Sequence, residues 1–291
     1  MLTSPADPRP KVAFLGPLGT FTHEAALAHF GAAVELDGQP SIPAVFEAVA
    51  RGEAAWGVVP IENSIEGGVN FTQDTLLETT LSLCGEVMVD VEQCLLGEAL
   101  ERAAIERVYS HPQGLAQCRR WLLAHLPNAM PIPTASTAQA AHVIKGDAKG
   151  AAIASRLAAE LAGVRIMATA IQDRKPNVTR FAVLGTASAP RSGNDKTSLV
   201  FSTPDERGAL VRALRIFDRA GINLCRIESR PRGGETWQYV FFVDLEGHQQ
   251  DEPVRGALSE LEDQSEMVKV FGSYPRARPR PKTTPPKSSA P

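Results

Sequence analysis

A chain of 291 residues has room for about two domains of about 100–200 residues each. Its 43% hydrophobic and 22% charged residues are those of an ordinary globular protein that can bury a sizeable core. The formal net charge is -3, and the stretch from Pro275 to Pro291 holds Arg276, Arg278, Arg280, Lys282 and Lys287 with no acid, so the folded body is more acidic than the total and nucleic acid is excluded as a main partner.

Residues 274–291, rich in proline, lysine and serine, read as a disordered basic tail. No charged-then-apolar leader precedes Lys11 and nothing approaches a membrane span, which predicts a cytoplasmic protein without membrane contact. Cys84, Cys94, Cys118 and Cys225 show neither CxxC pairing nor histidines at metal spacing. They read as small buried thiols in a reducing compartment.

From Lys11 short apolar runs alternate with helical stretches. Val12 to Leu15 reads as a buried strand, and GPLGTFTHEAA (16–26) turns into a helix with Thr20 or Thr22 as N-cap. Ser41 caps a second helix whose Val45, Phe46 and Val49 share a face. Trp56 to Pro60 is the next strand, followed by the loop from Ile61 to Gly68 and a helix through Leu77. Val87, Val89 and Val91 alternate with charges, which predicts a half-exposed strand. Further βα units follow: Ile105 to Tyr109 into Ser110-His111-Pro112-Gln113, Met130 to Pro133 into Ser136-Thr137, and Ala151 to Ala154 into Ser155. This repetition predicts a largely parallel α/β sheet with helices on both faces, and ligands then sit beyond the carboxyl ends of the strands. The polar clusters after Leu15, Pro60, Tyr109 and Pro133 all fall at such ends.

In the stretch QDRKPNVTRFAVL (172–184) a polar, proline-broken loop runs into an apolar strand. There Asn177 and Arg180 can grip carboxylate oxygens and Thr179 can donate a hydrogen bond to a departing oxygen. Gly185 to Lys196 reads as a linker that few contacts cross, so a chain ending near Ala187 is expected to keep its activity. Beyond it Leu199 and Phe201 lie on a strand. Pro204 and Asp205 open a helix ended by Gly221, and Leu224 to Arg230 is a strand. Arg232-Gly233-Gly234 makes a turn, and Trp237 to Leu245 alternate down the partner strand. A second helix and Met267 to Phe271 complete a βαββαβ unit over 196–273.

With both halves placed, the chain resembles prephenate dehydratases that carry a C-terminal ACT regulatory domain. The blocks that carry the resemblance stand in order: GPLGTFTHEAA at 16–26, VVPIENSIEGGVNFT at 58–72, YSHPQGLAQC at 109–118, STAQAA at 136–141, NVTRF at 177–181, GALV at 208–211 and ESRP at 228–231. Two departures stand out: Gly68 occupies a position where the family commonly has serine, and Gly114 one where alanine is frequent. The Gly68 departure puts one hydroxyl contact to substrate in doubt.

The resemblance implies a catalytic unit over 11–187 with two lobes like periplasmic solute-binding proteins, the chain returning between lobes through Asn177 to Val183. No segment resembles a chorismate mutase domain, so a monofunctional enzyme is expected. The implied reaction turns prephenate into phenylpyruvate, carbon dioxide and water with no cofactor and no metal. Thr179, the threonine of the TRF motif, is then the central catalytic residue. Glu62 or water supplies the proton for the departing hydroxide. Thr20, Asn63, Ser64, Ser136 and Thr137 would collect the substrate's carboxylates beside Asn177, Arg180 and Phe181.

The same resemblance implies L-phenylalanine binding at an ACT interface. The residues would be Gly208, Ala209, Leu210 and Val211 of one subunit and Glu228, Ser229, Arg230 and Pro231 of another, with Asn223 and Leu224 between, in a homodimer or homotetramer. An arogenate dehydratase, a solute-binding protein and a non-catalytic amino-acid sensor are the alternatives.

Overall fold

The structure is a computed structural model that describes residues 9–231 and 239–277. The expected turn at Arg232-Gly233-Gly234, Trp237, and the tail from Arg278 onward lie outside the described residues. The first lobe contains β1 (Lys11–Leu15), α1 (Phe21–Phe30), β2 (Glu35–Gln39), α2 (Ile42–Ala50), β3 (Trp56–Asn63), the two-residue β4 (Gly67–Gly68), α3 (Asn70–Glu78) and β5 (Ser82–Asp90). The second contains β6 (Cys94–Gly97), β7 (Arg107–Ser110), α4 (Pro112–Gln117), α5 (Arg119–His125), β8 (Met130–Pro133), α6 (Thr137–Val143), β9 (Gly150–Ala154), α7 (Arg156–Ala162) and β10 (Ile166–Ala168). Strand β11 (Val178–Gly185) then re-enters the first lobe between β3 and β5, antiparallel to both.

Each lobe is one mixed sheet, ordered β2-β1-β3-β11-β5 in the first and β10-β6-β9-β7-β8 in the second. The parallel pairs follow from the helical crossovers, and the returning β11 breaks the largely parallel pattern expected from the βα repeats. The local rules are the familiar ones. The Ser41 hydroxyl accepts from Ala44 N–H at the start of α2, and Val45, Phe46 and Val49 bury against the sheet. Central β11 is buried along nearly its whole length, and its run Phe181-Ala182-Val183-Leu184 is the continuous apolar stretch that a doubly covered strand requires. The chain passes between lobes twice, where Val91 N–H donates to Asn177 O (2.7 Å) and Ile171 N–H to Gln93 O (3.0 Å).

The last unit contains β12 (Asp195–Ser202), α8 (Ala209–Arg219), β13 (Leu224–Pro231), β14 (Tyr239–Glu246), α9 (Glu252–Gln264) and β15 (Met267–Pro275), with sheet order β13-β14-β12-β15. Helix α8 begins at Ala209, after a left-handed turn at Gly208 (φ 82°), rather than at Pro204; residues 203–208 form the rim of a cavity instead. Strand β15 runs on to Pro275 and Tyr274 is 2% exposed, so the first residues of the expected tail are part of the sheet. Cys94 and Cys118 are buried and Cys84 half-buried, but Cys225, on edge strand β13, is exposed.

The two halves are not joined by the linker alone. One face of the C-terminal sheet, with Val200, Val240, Phe242, Phe271 and Tyr274, packs into the same core as Ile61, Leu76, Leu83, Ala182 and Leu184 of the first lobe. Backbone meets backbone at Gly272, where any side chain would run into the Leu83 carbonyl. A cut near Ala187 therefore bares this core, contrary to the expectation drawn from the linker's composition. Strand β5 is not half-exposed either. Its Glu86 is buried between Lys196 of the other half (2.7 Å) and Arg180 of the neighbouring strand β11 (3.5 Å).

The same joint holds Asp244, which receives Arg180 at 2.6 Å and the Ser198 hydroxyl at 2.5 Å. Burial pushes its carboxyl up, but Arg180, with Arg226, Ser198 and Lys196, more than offsets this and holds the pKa below the ordinary carboxylate range. A pKa depressed on folding stabilises the fold above the unfolded value of about 3.9 and is lost as pH falls through the folded value. Denaturant midpoints measured from pH 6 to pH 2 should therefore fall in the wild type, and that part of the fall should vanish in Asp244→Asn. At neutral pH Asp244→Ala, which strands a buried arginine, should cost about 3–5 kcal/mol.

Candidate active site

Between the lobes lies a cleft of about 300 Å³ at the carboxyl ends of β1, β3, β7 and β8. Each wall is made by a helix start. Thr20 caps α1, its hydroxyl accepting from His23 N–H (3.3 Å) and donating to Leu15 O (3.2 Å). Ser136 caps α6 by accepting from Gln139 N–H (3.0 Å), and Thr137 follows it. Across from them stand Asn63, at the end of β3, and Thr179, at the start of β11, paired in register. Of the expected substrate contacts, Thr20, Asn63, Ser136, Thr137 and Thr179 meet here.

The others do not. Neighbours on a strand point to opposite faces, so Glu62 and Arg180, also paired in register, turn away from the cleft. The Arg180 side chain is 6% exposed and reaches Asp244, Glu86 and, at 3.4 Å, Glu62. These carboxylates outweigh the effect of burial and raise its pKa. It is committed to the joint between the halves and is not available to a substrate carboxylate. Glu62 is shared between Arg180 and Arg226 (3.4 Å each) and is no proton source for the cleft. Phe181 is a core residue beside Phe14, Val58 and Val89. The Ser64 hydroxyl accepts from Val178 N–H (3.0 Å) and does not line the cleft. Gly68 faces Glu228 and Gln73 at the same joint, so the doubt about a missing substrate hydroxyl there falls away.

The residues missed in the sequence are amides. The side-chain oxygen of Asn63 accepts from Ile65 N–H (2.9 Å) and Glu66 N–H (3.2 Å). Its NH₂ must then donate, to Asn177 Oδ1 (2.8 Å) and Thr179 Oγ1 (2.9 Å). Asn177, 4% exposed behind the cleft wall, passes its own NH₂ to Gln117 Oε1 (3.3 Å), which Gln93 also reaches (3.3 Å). Gln117 and Gln113 donate to the Glu66 carboxylate (2.9 and 2.7 Å), closing a bridge from the first lobe to α4 of the second. The chain of amides is anchored at one end by backbone donors and at the other by a carboxylate that only accepts, so every orientation in it is fixed. Gln113 and Gln117 stand four apart just after Pro112, on one face of a helix start; that spacing within YSHPQGLAQC was the available signal.

Two consequences follow for chemistry. Thr179 accepts from Asn63, which leaves its own hydrogen for the cleft. And among the described residues no Asp, Glu, Lys or Arg lines the cleft and His111 is its one titratable side chain, its Nδ1 accepting from Gln113 N–H (3.3 Å) as the cap of α4. A neutral ring then carries its proton on Nε2.

In the C-terminal unit a second cavity, of about 440 Å³, is lined by Gly208, Ala209, Leu210, Val211, Ser229 and Phe241, among others. Its wall from 208–211 and Ser229 belong to one chain. Glu228 and Arg230, one residue either side of Ser229, point to the other face of β13, where they contact Gln73. Asn223 and Leu224 lie at the opposite end of that strand. The Asn223 carbonyl accepts from Glu246 N–H and Leu224 packs on the core. Pro231 is exposed and does not line this cavity.

Comparison with known proteins agrees with both halves. Residues 12–189 match the family model "Prephenate dehydratase" and residues 197–263 the model "ACT domain". A bifunctional chorismate mutase/prephenate dehydratase of Aquifex aeolicus is 45% identical over 92% of this chain and 74% of its own length. The structure of a prephenate dehydratase in complex with L-Phe from Arthrobacter aurescens superposes with TM-score 0.84 at 38% identity, covering 92% of this chain and 90% of that one. A protein described as a quorum-quenching acylase, GqqA, superposes with TM-score 0.82 at 32% identity, covering 92% and 98%. With both domains matched in order along nearly the whole chain, the protein belongs to the prephenate dehydratase family, with an ACT domain following the catalytic unit.

Proposed function

We propose that the cleft takes prephenate itself, aromatises its ring by loss of carbon dioxide and hydroxide, and is controlled by L-phenylalanine bound in the ACT cavity. The observation that carries the catalytic half is the direction of the Asn63–Thr179 hydrogen bond (2.9 Å). As the bond to the ring carboxyl breaks, its electron pair enters the ring and the carbon–oxygen bond opposite gives up its pair to the departing hydroxide. A hydroxyl that accepts from Asn63 and donates forward is placed to meet that developing charge. The substrate's carboxylates would be held by the hydroxyls and N–H groups at the starts of α1 and α6, which suit anions without any full charge. His111 offers its Nε2–H to the cleft as a hydrogen-bond donor, and water, in place of Glu62, supplies the proton that converts hydroxide to water.

For the regulatory half, the ACT cavity has the size of a small amino acid's site, and the Arthrobacter aurescens relative is described in complex with L-Phe. Val211 and Ile227 beside it are 53% and 47% exposed, an apolar rim that a second subunit would cover, which supports at least a homodimer. The reading places the enzyme in the cytoplasm.

The deciding assay offers purified protein prephenate and arogenate separately and identifies the aromatic product. Phenylpyruvate from prephenate, with arogenate turned over at least tenfold less well, is the expected result. Phenylalanine formed preferentially from arogenate would replace this reading.

Thr179→Ala should lower turnover by roughly 10²–10³ with little change in KM, the usual loss for one transition-state donor. Asn63→Asp keeps the shape and the contacts to Ile65 and Glu66 but turns a donor into an acceptor that captures the Thr179 hydrogen. A loss of similar size, not additive with Thr179→Ala, is expected, and full additivity would separate the two residues. His111→Asn keeps a cap for α4 but removes the ring N–H, and should cost roughly 10²-fold in kcat at constant KM as the loss of one donor to the developing charge; unchanged kcat would remove His111 from the reaction.

A further inference from the structure

Strand alternation gives the β3/β11 pair two working faces. Asn63 and Thr179 face the cleft, while Glu62 and Arg180, their immediate neighbours, face the ACT sheet. Strand β13 is two-faced as well. Ser229 lines the ACT cavity, and Arg226, Glu228 and Arg230 face the catalytic unit.

The contacts across the joint run along one segment. Arg226 pairs with Glu62 (3.4 Å) and with Glu228. Glu228 accepts from Gln73 of α3 (3.0 Å). Arg230 donates to Asn70 O and Gln73 Oε1 (3.1 Å each) and pairs with Asp74 (2.8 Å). At the far end of α3, Lys269 of β15 donates to the carbonyls of Leu76, Leu77 and Thr79 (2.9, 2.8 and 2.6 Å), capping the helix.

Residues 62–79 are thus held from the ACT side at start, middle and end. This is the segment that carries Asn63, the seat of Thr179, and Glu66, the bridge to the second lobe. At its centre Gly68 leaves no room: a Cβ there would lie 2.5 Å from Glu228 Oε2 and 2.6 Å from Gln73 Nε2. Glu228 and Gln73 close over the bare backbone.

We propose that Glu62, Arg180 and Arg226 are positioning residues that fix the Asn63–Thr179 pair from behind, and that a ligand in the ACT cavity acts on the cleft by shifting β13 and with it the Arg226–Glu62 contact. The regulatory half of this rests on the reading that the cavity takes phenylalanine. A strand is stiff along its length, so displacing Ser229 on one face displaces Arg226 and Glu228 on the other. Glu62 and Asn63 are consecutive, so the displacement reaches Thr179 through one peptide unit and one hydrogen bond. The Arg226 side chain is 10% exposed and Glu62 34%, so their contact is partly withdrawn from water, where a small change in separation alters the interaction more than it would in solvent.

The test uses the full chain as wild type, Arg226→Gln and the double variant Glu62→Gln/Arg226→Gln, which neutralises both partners of the contact and carries the test if the single variant does not fold. Three quantities are measured for each: L-phenylalanine binding by calorimetry, kcat and KM for prephenate with and without phenylalanine, and hydrogen exchange at the Ile65 and Glu66 amides that hold Asn63. Expected are phenylalanine affinities within about threefold of wild type, because Arg226 does not line the cavity, and an inhibitory effect weakened at least about fivefold, the lower end of ordinary coupling. Exchange at Ile65 and Glu66 should be faster in both variants, and at least as fast in the double variant, which also loses the Glu62–Arg180 pair.

A variant that binds phenylalanine and is inhibited as strongly as wild type overturns the coupling. Unchanged exchange at Ile65 and Glu66 overturns the positioning role whatever phenylalanine does. If wild type itself fails to bind phenylalanine, the reading of the cavity and the coupling built on it fall, and the exchange result alone decides the positioning role.

Discussion

Everything in this molecule turns on the antiparallel pairing of β3 with β11. Because side chains alternate across a strand, the register that sets Asn63 opposite Thr179 also sets Glu62 opposite Arg180 on the reverse face. One face thereby meets the cleft and the other meets the ACT sheet, with no intervening layer. The fold achieves this by sending the chain to the second lobe and back, so that β11 arrives as a central strand covered on both sides. A shift of register by one residue would exchange the two faces, turning a neutral donor pair out of the cleft and two charges into it.

The ACT unit is accordingly a structural part of the catalytic lobe as well as the proposed control element. Its sheet supplies Val200, Phe242, Phe271 and Tyr274 to the core under β11 and closes a polar joint of Arg180, Lys196, Glu86 and Asp244. Buried ion pairs of this kind add little net stability against an apolar alternative, but they are costly to leave half-made. They select one way of seating the two sheets, and the close backbone approach at Gly272 and Leu83 sharpens that choice.

Much of this architecture was legible in the sequence. The βα repeats, the caps at Thr20, Ser41, Ser136 and Ser155, and the βαββαβ ending could be read from period and capping chemistry, because those signals are local. What could not be read was the partner of each strand face. Glu86 amid alternating valines looks solvent-facing until the charge that meets it, Lys196, arrives from 110 positions later in the chain. Arg180 looks like a carboxylate clamp for the same reason: nothing local says which of two neighbours on a strand faces the cleft. A stretch of glycine, serine and proline such as Gly185 to Lys196 marks a change of unit but says nothing about the surfaces on either side of it. The amides at Gln113 and Gln117 were within reach, since helical spacing puts them on one face.

The chargeless lining of the cleft has a consequence of its own for how the enzyme responds to its medium. Recognition of an anion by fixed arginines or lysines is weakened by dissolved ions, whose screening length is about 8 Å at physiological strength. Hydroxyls and backbone N–H groups carry no net charge to be screened and act through short, directional contacts. Occupancy of such a site follows the geometry of the guest more than the electrolyte around it, which allows the same discrimination in dilute and in concentrated salt.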